Sequence, residues 1–172
     1  MKRAVVVILL VIACFLLQST VFHAVAFGGI VPNLLIILTA SFGFMRGEKT
    51  GLIIGFFCGL LMDIFFGEVI GFHALLYMYV GYTNGKFNHI FFPEDVKLPM
   101  VLIVGSDFFY NVTCYVLMFL MRTRFHVWHY FLHVMLPEIV YTIVITIFLY
   151  PAILWINRRL EHSEKRSAKK FV

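Results

Sequence analysis

The sequence predicts an all-α membrane protein, a polytopic bundle of six transmembrane helices with both termini in the cytoplasm. Of its 172 residues, 62% are hydrophobic and 13% are charged, which leaves too little polar surface for a soluble domain. The apolar segments are long and lack the alternation of polar and apolar residues that a membrane β-barrel requires. Basic residues gather on one side of the predicted segments, which fixes the orientation.

The positions of the spans follow from the apolar runs and the residues that interrupt them. No charged residue occurs from Ala4 to Met45, and one helix over that run would measure roughly 63 Å, twice the hydrocarbon core of a bilayer. The run is therefore divided in two, at the paired glycines and Pro32. We expect spans near residues 4–27, 32–45, 50–66, 71–85, 98–121 and 131–156. Residues 1–157 would then form the membrane domain, and residues 158–172 a basic cytoplasmic tail.

The distribution of Lys and Arg orients these spans. With the amino terminus inside, all 14 basic residues except Arg122 and Arg124 lie on the cytoplasmic side. The formal net charge of +5 is thus a topology signal. It does not indicate nucleic-acid binding, because no folded basic surface or aromatic readout module accompanies it. The tail is expected to rest on membrane lipid at the inner leaflet.

One helical face of the third span lacks side-chain bulk. Gly51, Gly55, Gly59 and Asp63 recur every fourth residue and so share a face. Such a face lets another helix approach backbone to backbone in lipid, and its terminal carboxyl group requires a polar partner. The face serves either contact with a partner protein, with Asp63 as its polar tie, or packing within the bundle, and the spacing does not separate the two.

Three acids fall inside predicted spans, where no Lys or Arg is available to pair with them. They are Asp63, Asp107 and Glu138, and Asn111 shares a helical face with Asp107. We expect these acids to be neutral or hydrogen-bonded ties between helices, with a substrate or proton path as the alternative. An intramembrane aspartyl protease would also place two carboxyl groups in the membrane, but the Gly-x-Gly-Asp pattern of that class is missing. No catalytic residue, cofactor or metal site is predicted.

A family resemblance emerges from the ordered combination of these elements. Its residues are Pro32-Asn33-Leu34-Leu35-Ile36-Ile37-Leu38, Arg46-Gly47, the face from Gly51 to Asp63, Gly67, Gly71-Phe72-His73, and Gly81-Tyr82-x-x-Gly85. Over residues 32–85 the chain resembles the bacterial rod shape-determining protein MreD family. Chain length, span number and the basic tail agree with this resemblance, while the second half adds only hydropathy and topology.

The resemblance implies a non-enzymatic subunit of the cell-wall elongation machinery in the bacterial inner membrane. It also implies binding to an MreC-like, membrane-anchored extracytoplasmic protein, with the MreB filament, RodA and a penicillin-binding transpeptidase as further partners. The residues expected to carry packing or partner contacts are Pro32, Asn33, Gly51, Gly55, Gly59, Asp63, Gly71, Gly81 and Gly85. A substrate-binding subunit of an energy-coupling factor type uptake transporter is the alternative, since it is similar in length, span number and small-residue faces.

Overall fold

The protein is mainly helical in the part of the chain that the structure, a computed structural model, describes: residues 2–24, 30–67, 69–90, 97–122 and 131–168. The main helices in these ranges are α1 (Lys2–Leu16), α2 (Leu34–Arg46), α3 (Glu48–Phe66), α4 (Phe72–Lys86), α5 (Lys97–Arg122) and α6 (Leu136–Ala168). Leu17–Val21 and Phe22–Ala24 prolong α1, Phe87–Ile90 forms a 3₁₀ turn after α4, and Phe131–Met135 leads into α6. The predicted all-α class is confirmed.

Four of these helices are long and apolar enough to cross a bilayer, and they cover Arg3–Val21, Glu48–Phe66, Lys97–Leu117 and Leu136–His162. The other two segments predicted as spans are helical but short. With 13 and 15 residues, α2 and α4 measure only about 20 and 22 Å. Helix α6 continues through residues 158–168, which the sequence analysis assigned to the tail. The predicted break at Gly28 and Gly29 and the loop residue Glu68 lie outside the described residues.

Helix α2 is the centre of the bundle. Every residue from Leu34 to Met45 is buried, and α2 contacts each of the other five main helices. The sequence explains this position, because α2 is apolar on all sides and carries no charge before Arg46. Its amino terminus is capped by Asn33, whose side chain accepts a hydrogen bond from the N–H of Ile36 at 3.3 Å.

Helices α3 and α4 form a hairpin that packs against α2, and they are the most closely paired helices of the described chain. Helix α1 lies at the edge, where it contacts α2 and α3. Only Val11, Cys14 and Phe15 of α1 are buried, whereas Ile8 and Leu9 face outward. The fold thus surrounds one short apolar helix with longer helices whose outer sides are apolar, as lipid contact requires.

Candidate functional site

The glycine face of α3 lies against the backbone of α4. A Cβ atom placed on Gly51 would lie 2.2 Å from the carbonyl oxygen of Gly81, and one on Gly55 would lie 2.3 Å from that of Tyr77. At Gly59 it would lie 2.4 Å from the Cα atom of Ala74. Real side-chain atoms do not approach so closely, so only glycine permits this packing. The glycine face of α3 is therefore covered by α4 within the hairpin.

The glycines of α4 complete this contact from the other side. A Cβ atom on Gly81 would lie 2.1 Å from the carbonyl oxygen of Gly51, and one on Gly85 would lie 2.2 Å from the Cα atom of Glu48. Gly43 of α2 also approaches the Gly81 carbonyl oxygen, at 2.6 Å from its own hypothetical Cβ atom. Three helices therefore meet around Gly81 with only backbone between them.

Asp63 holds the turn between α3 and α4. Its Oδ1 atom accepts the backbone N–H of His73 at 2.8 Å, and Oδ2 accepts those of Gly71 at 2.9 Å and Ala74 at 3.0 Å. The Nδ1 atom of His73 lies 2.8 Å from Oδ1, and which of the two groups donates depends on the tautomer of the imidazole. The side chain of Asp63 is fully buried, and both of its oxygens act as acceptors.

This geometry makes Asp63 the cap of α4, supplied from another helix. Gly71 stands at the capping position with φ +98° and has no side chain to accept the N–H groups of the first turn. A carboxyl group at a helix amino terminus is also favoured by the helix dipole. Three backbone N–H groups of the first turn of α4 thus point at the carboxyl, and the imidazole of His73 lies beside it. Asp63 therefore links α3 to α4 through hydrogen bonds.

Asn33 is the point at which the hairpin, α2 and α6 meet. Besides capping α2, its Oδ1 atom accepts a hydrogen bond from the hydroxyl of Tyr77 at 2.7 Å. Its backbone N–H donates to the hydroxyl of Thr142 at 3.3 Å. Pro32, which precedes it, is buried. The Pro32-Asn33 pair thus anchors α2 to α4 and α6, and all of these polar groups are buried.

Asp107 and Asn111 occupy the inner face of α5 opposite α6, but the amide does not bond the carboxyl. The Nδ2 atom of Asn111 donates to the backbone carbonyl of Asp107 at 3.1 Å. Asp107 is 0% exposed, and neither of its carboxyl oxygens has a hydrogen-bond partner within the described ranges. The hydroxyl of Thr142 on α6 lies near enough to interact with the carboxyl group of Asp107. Glu138, half-buried at the start of α6, has Asp107 and Asn111 as its polar neighbours.

A second polar cluster closes the opposite end of the bundle. Arg46 at the end of α2 donates through Nε to the side-chain oxygen of Asn157 and through Nη2 to its backbone carbonyl, the latter at 3.4 Å. The amide of Asn157 in turn donates to Glu161 at 3.1 Å. The described residues contain no group of His, Cys, Asp and Glu side chains that could hold a metal ion.

The sequence assigned no role to several residues of these networks, among them Tyr77, His73 and Thr142. Their residue types do not mark them, because each forms its hydrogen bond with a residue that is remote in sequence. One signal was available for the hairpin. Gly81 and Gly85 repeat the spacing of the α3 glycines, so two small-residue faces separated by a short turn indicate packing against each other.

Comparison with known proteins identifies a family over most of the chain. The family model described as rod shape-determining protein MreD matches residues 1–159. That range includes every helix of the site and ends within α6. No curated protein and no solved structure matches the chain.

Proposed function

The chain belongs to the MreD family of rod shape-determining proteins, and from this premise we propose that it is a non-enzymatic, multi-pass subunit of the bacterial cell-wall elongation machinery. The family match over residues 1–159 carries the proposal. The burial of the polar network supports a structural role, since Asp63 and Asn33 are bonded to the protein's own helices. The family match does not favour the alternative of an uptake-transporter subunit.

We further propose that all six helices lie within the inner membrane, with both termini cytoplasmic. The bond from Arg3 to the hydroxyl of Thr50, at 3.3 Å, places the start of α1 beside the start of α3. The bonds from Arg46 to Asn157 place the end of α2 beside α6. These basic residues therefore share one end of the bundle, and basic residues favour the cytoplasmic side. The short helix α2 passes through the membrane within the protein interior, and α4 crosses beside it.

An MreC-like, membrane-anchored protein is the proposed direct partner, with the MreB filament, RodA and a penicillin-binding transpeptidase in the same assembly. Since α4 covers the glycine face, we place the partner contact on the outward sides of the helices. Phe148 of α6 is 74% exposed and Phe109 of α5 is 47% exposed, so both are accessible from the bilayer. The protein would organise wall synthesis through such lateral helix contacts.

Photo-crosslinking in native membranes tests this proposal. A crosslinking amino acid is placed at Phe148 or Phe109, and at the buried Cys58 of α3 as the control. After gentle purification, mass spectrometry should identify an extracytoplasmic, membrane-anchored protein joined to the outward positions and not to position 58. Wall synthases should be recovered with it. Recovery of paired ATPases and a membrane coupling subunit in their place would overturn the proposal in favour of transport.

A further inference from the structure

A polar stripe runs along the side of α6 that faces the bundle. It consists of Glu138, Thr142 and Thr146, which follow one another at intervals of four residues and so share a helical face. Both threonines are 0% exposed, whereas Glu138, in the first turn of α6, is only half-buried. Glu138 lies about 28 Å along the helix from Asn157, at the end remote from the Arg46 cluster. The stripe therefore leads from a partly exposed acid into the interior.

Asp107 lies on α5 opposite this stripe, about 15 Å along the helix from Lys97. Its side chain is 0% exposed, and within the described ranges neither carboxyl oxygen has a hydrogen-bond partner. The neighbouring hydroxyl of Thr142 accepts the N–H of Asn33 and has at most one proton to offer the carboxyl. A buried negative charge requires several donors, such as the three backbone N–H groups at Asp63. Asp107 lacks them, so its buried carboxyl is stable only in the neutral form.

Lys and Arg occur on the surrounding helices only at the membrane ends. There are none between Lys97 and Arg122 of α5, and none on α6 before Arg158. On α4 the first is Lys86, and α2 carries no titratable side chain before Arg46. Tyr77 of α4 and Tyr110 and Cys114 of α5 lie near the two acids, and the exposed His133 precedes Glu138 in the chain. The tyrosines and the cysteine are uncharged at neutral pH and offset no negative charge on the buried acid.

We propose that Asp107 is a proton-binding site that exchanges its proton through Glu138. Asp107 and Asn111 are the polar neighbours of Glu138, so the half-buried acid connects the buried one to the end of the bundle. A proton moves from water to a carboxyl oxygen of Glu138 and then to one of Asp107, and one O–H bond breaks for each that forms. With the proton bound, α5 and α6 pack around a neutral group. Its loss leaves a charge between the two helices, so their contact responds to pH at that end of the bundle.

Infrared spectroscopy of the full chain in lipid vesicles tests whether the proton is bound. The carbonyl stretch of a carboxylic acid is separate from the bands of carboxylates and of the backbone. At neutral pH, Asp107→Asn should remove one carboxylic-acid band, and Asp107→Glu should give a band at a changed frequency, also if the Asn variant does not fold. The matched control is Glu161→Gln, at the other end of α6, where Glu161 accepts a bond from Asn157 at 3.1 Å. Absence of such a band, or a metal ion retained by the original protein and lost in Asp107→Asn, would overturn the proposal.

Transfer of the vesicles to heavy water tests the route. The band of Asp107 shifts as its proton is replaced by deuterium, so the rate of the shift reports the exchange. Glu138→Gln should keep the band and slow the shift about tenfold or more, because an amide does not relay a proton as a carboxyl does. Glu138→Asp and Glu161→Gln should exchange at nearly the original rate. A purely structural role for Glu138 leaves the rate unchanged in Glu138→Gln, and that result would overturn the route.

Discussion

The α3–α4 hairpin and the α5–α6 pair each bury an aspartate, yet they surround it in opposite ways. In the hairpin, three backbone N–H groups and the imidazole of His73 bond Asp63, and glycines let the two backbones touch. On α5, Asp107 is equally buried, but its carboxyl oxygens have no hydrogen-bond partner in the described ranges. The difference shows that burial alone does not define the role of an intramembrane acid. The donors around it distinguish a structural cap from a carboxyl group that has no hydrogen bond within the described residues.

The largest effect is expected from enlarging the hairpin interface. Gly55→Leu places side-chain atoms where the α4 backbone lies, so α3 and α4 must separate and the folded protein should be lost or weakened by several kcal/mol. Gly105→Leu is the matched control on α5, because a Cβ atom there meets nothing within 4 Å. Thermal unfolding in detergent, followed by size-exclusion chromatography, should show a stable Gly105 variant and an unstable Gly55 variant. Equal stability would mean that the hairpin does not depend on backbone contact.

The second-largest loss of stability is expected from Asp63→Asn. The substitution replaces one acceptor oxygen with an N–H donor that faces other N–H donors, and we expect a loss of about 2 to 4 kcal/mol in the free energy of unfolding. Chemical denaturation of the purified protein in a mild detergent measures it. A neutral outcome would indicate that the carboxyl is protonated and donates to the Nδ1 atom of His73.

A smaller effect is expected where the hairpin meets α2. Tyr77→Phe removes the hydroxyl that donates to Asn33, but the Asn33 oxygen keeps its bond from Ile36, so the loss should be about 1 kcal/mol. Tyr79→Phe is the control, since Tyr79 lies on the same helix and is 53% exposed. The same denaturation experiment should leave the control unchanged. Similar losses in both variants would mean that the hydrogen bond between Tyr77 and Asn33 does not contribute to stability.

Asp107→Asn should have the smallest effect on stability. The carboxyl has no bond to lose within the described residues, and a buried neutral amide is less costly than an unpartnered acid. We expect the free energy of unfolding to stay within about 1 kcal/mol of the original protein or to rise. If rod shape is nonetheless lost in cells that carry this variant, the carboxyl has a role beyond packing. A large destabilisation would place Asp107 in the same structural class as Asp63.

Sequence alone predicts the helical class and where most helices lie, because long apolar runs and their glycine and proline breaks are local features. It also places Asp63 on the glycine face of α3, since that follows from a fourfold spacing. It does not reveal what covers the face, because Gly81 and Ala74 come into contact only when the hairpin closes. The sequence likewise does not show which acceptor a side-chain donor will use. Asn111 lies on the same helical face as Asp107, but its amide donates to the backbone carbonyl of Asp107 and not to the carboxyl group.

The enclosed position of α2 also constrains how the protein is made. Its 13 residues emerge from the ribosome before the helices α3 to α6 that bury them. A segment of about 20 Å is shorter than the hydrocarbon core, so α2 on its own is poorly matched to a bilayer. Its burial depends on the association of the later helices, and the close pairing of α3 with α4 supplies one of the surfaces that surround it.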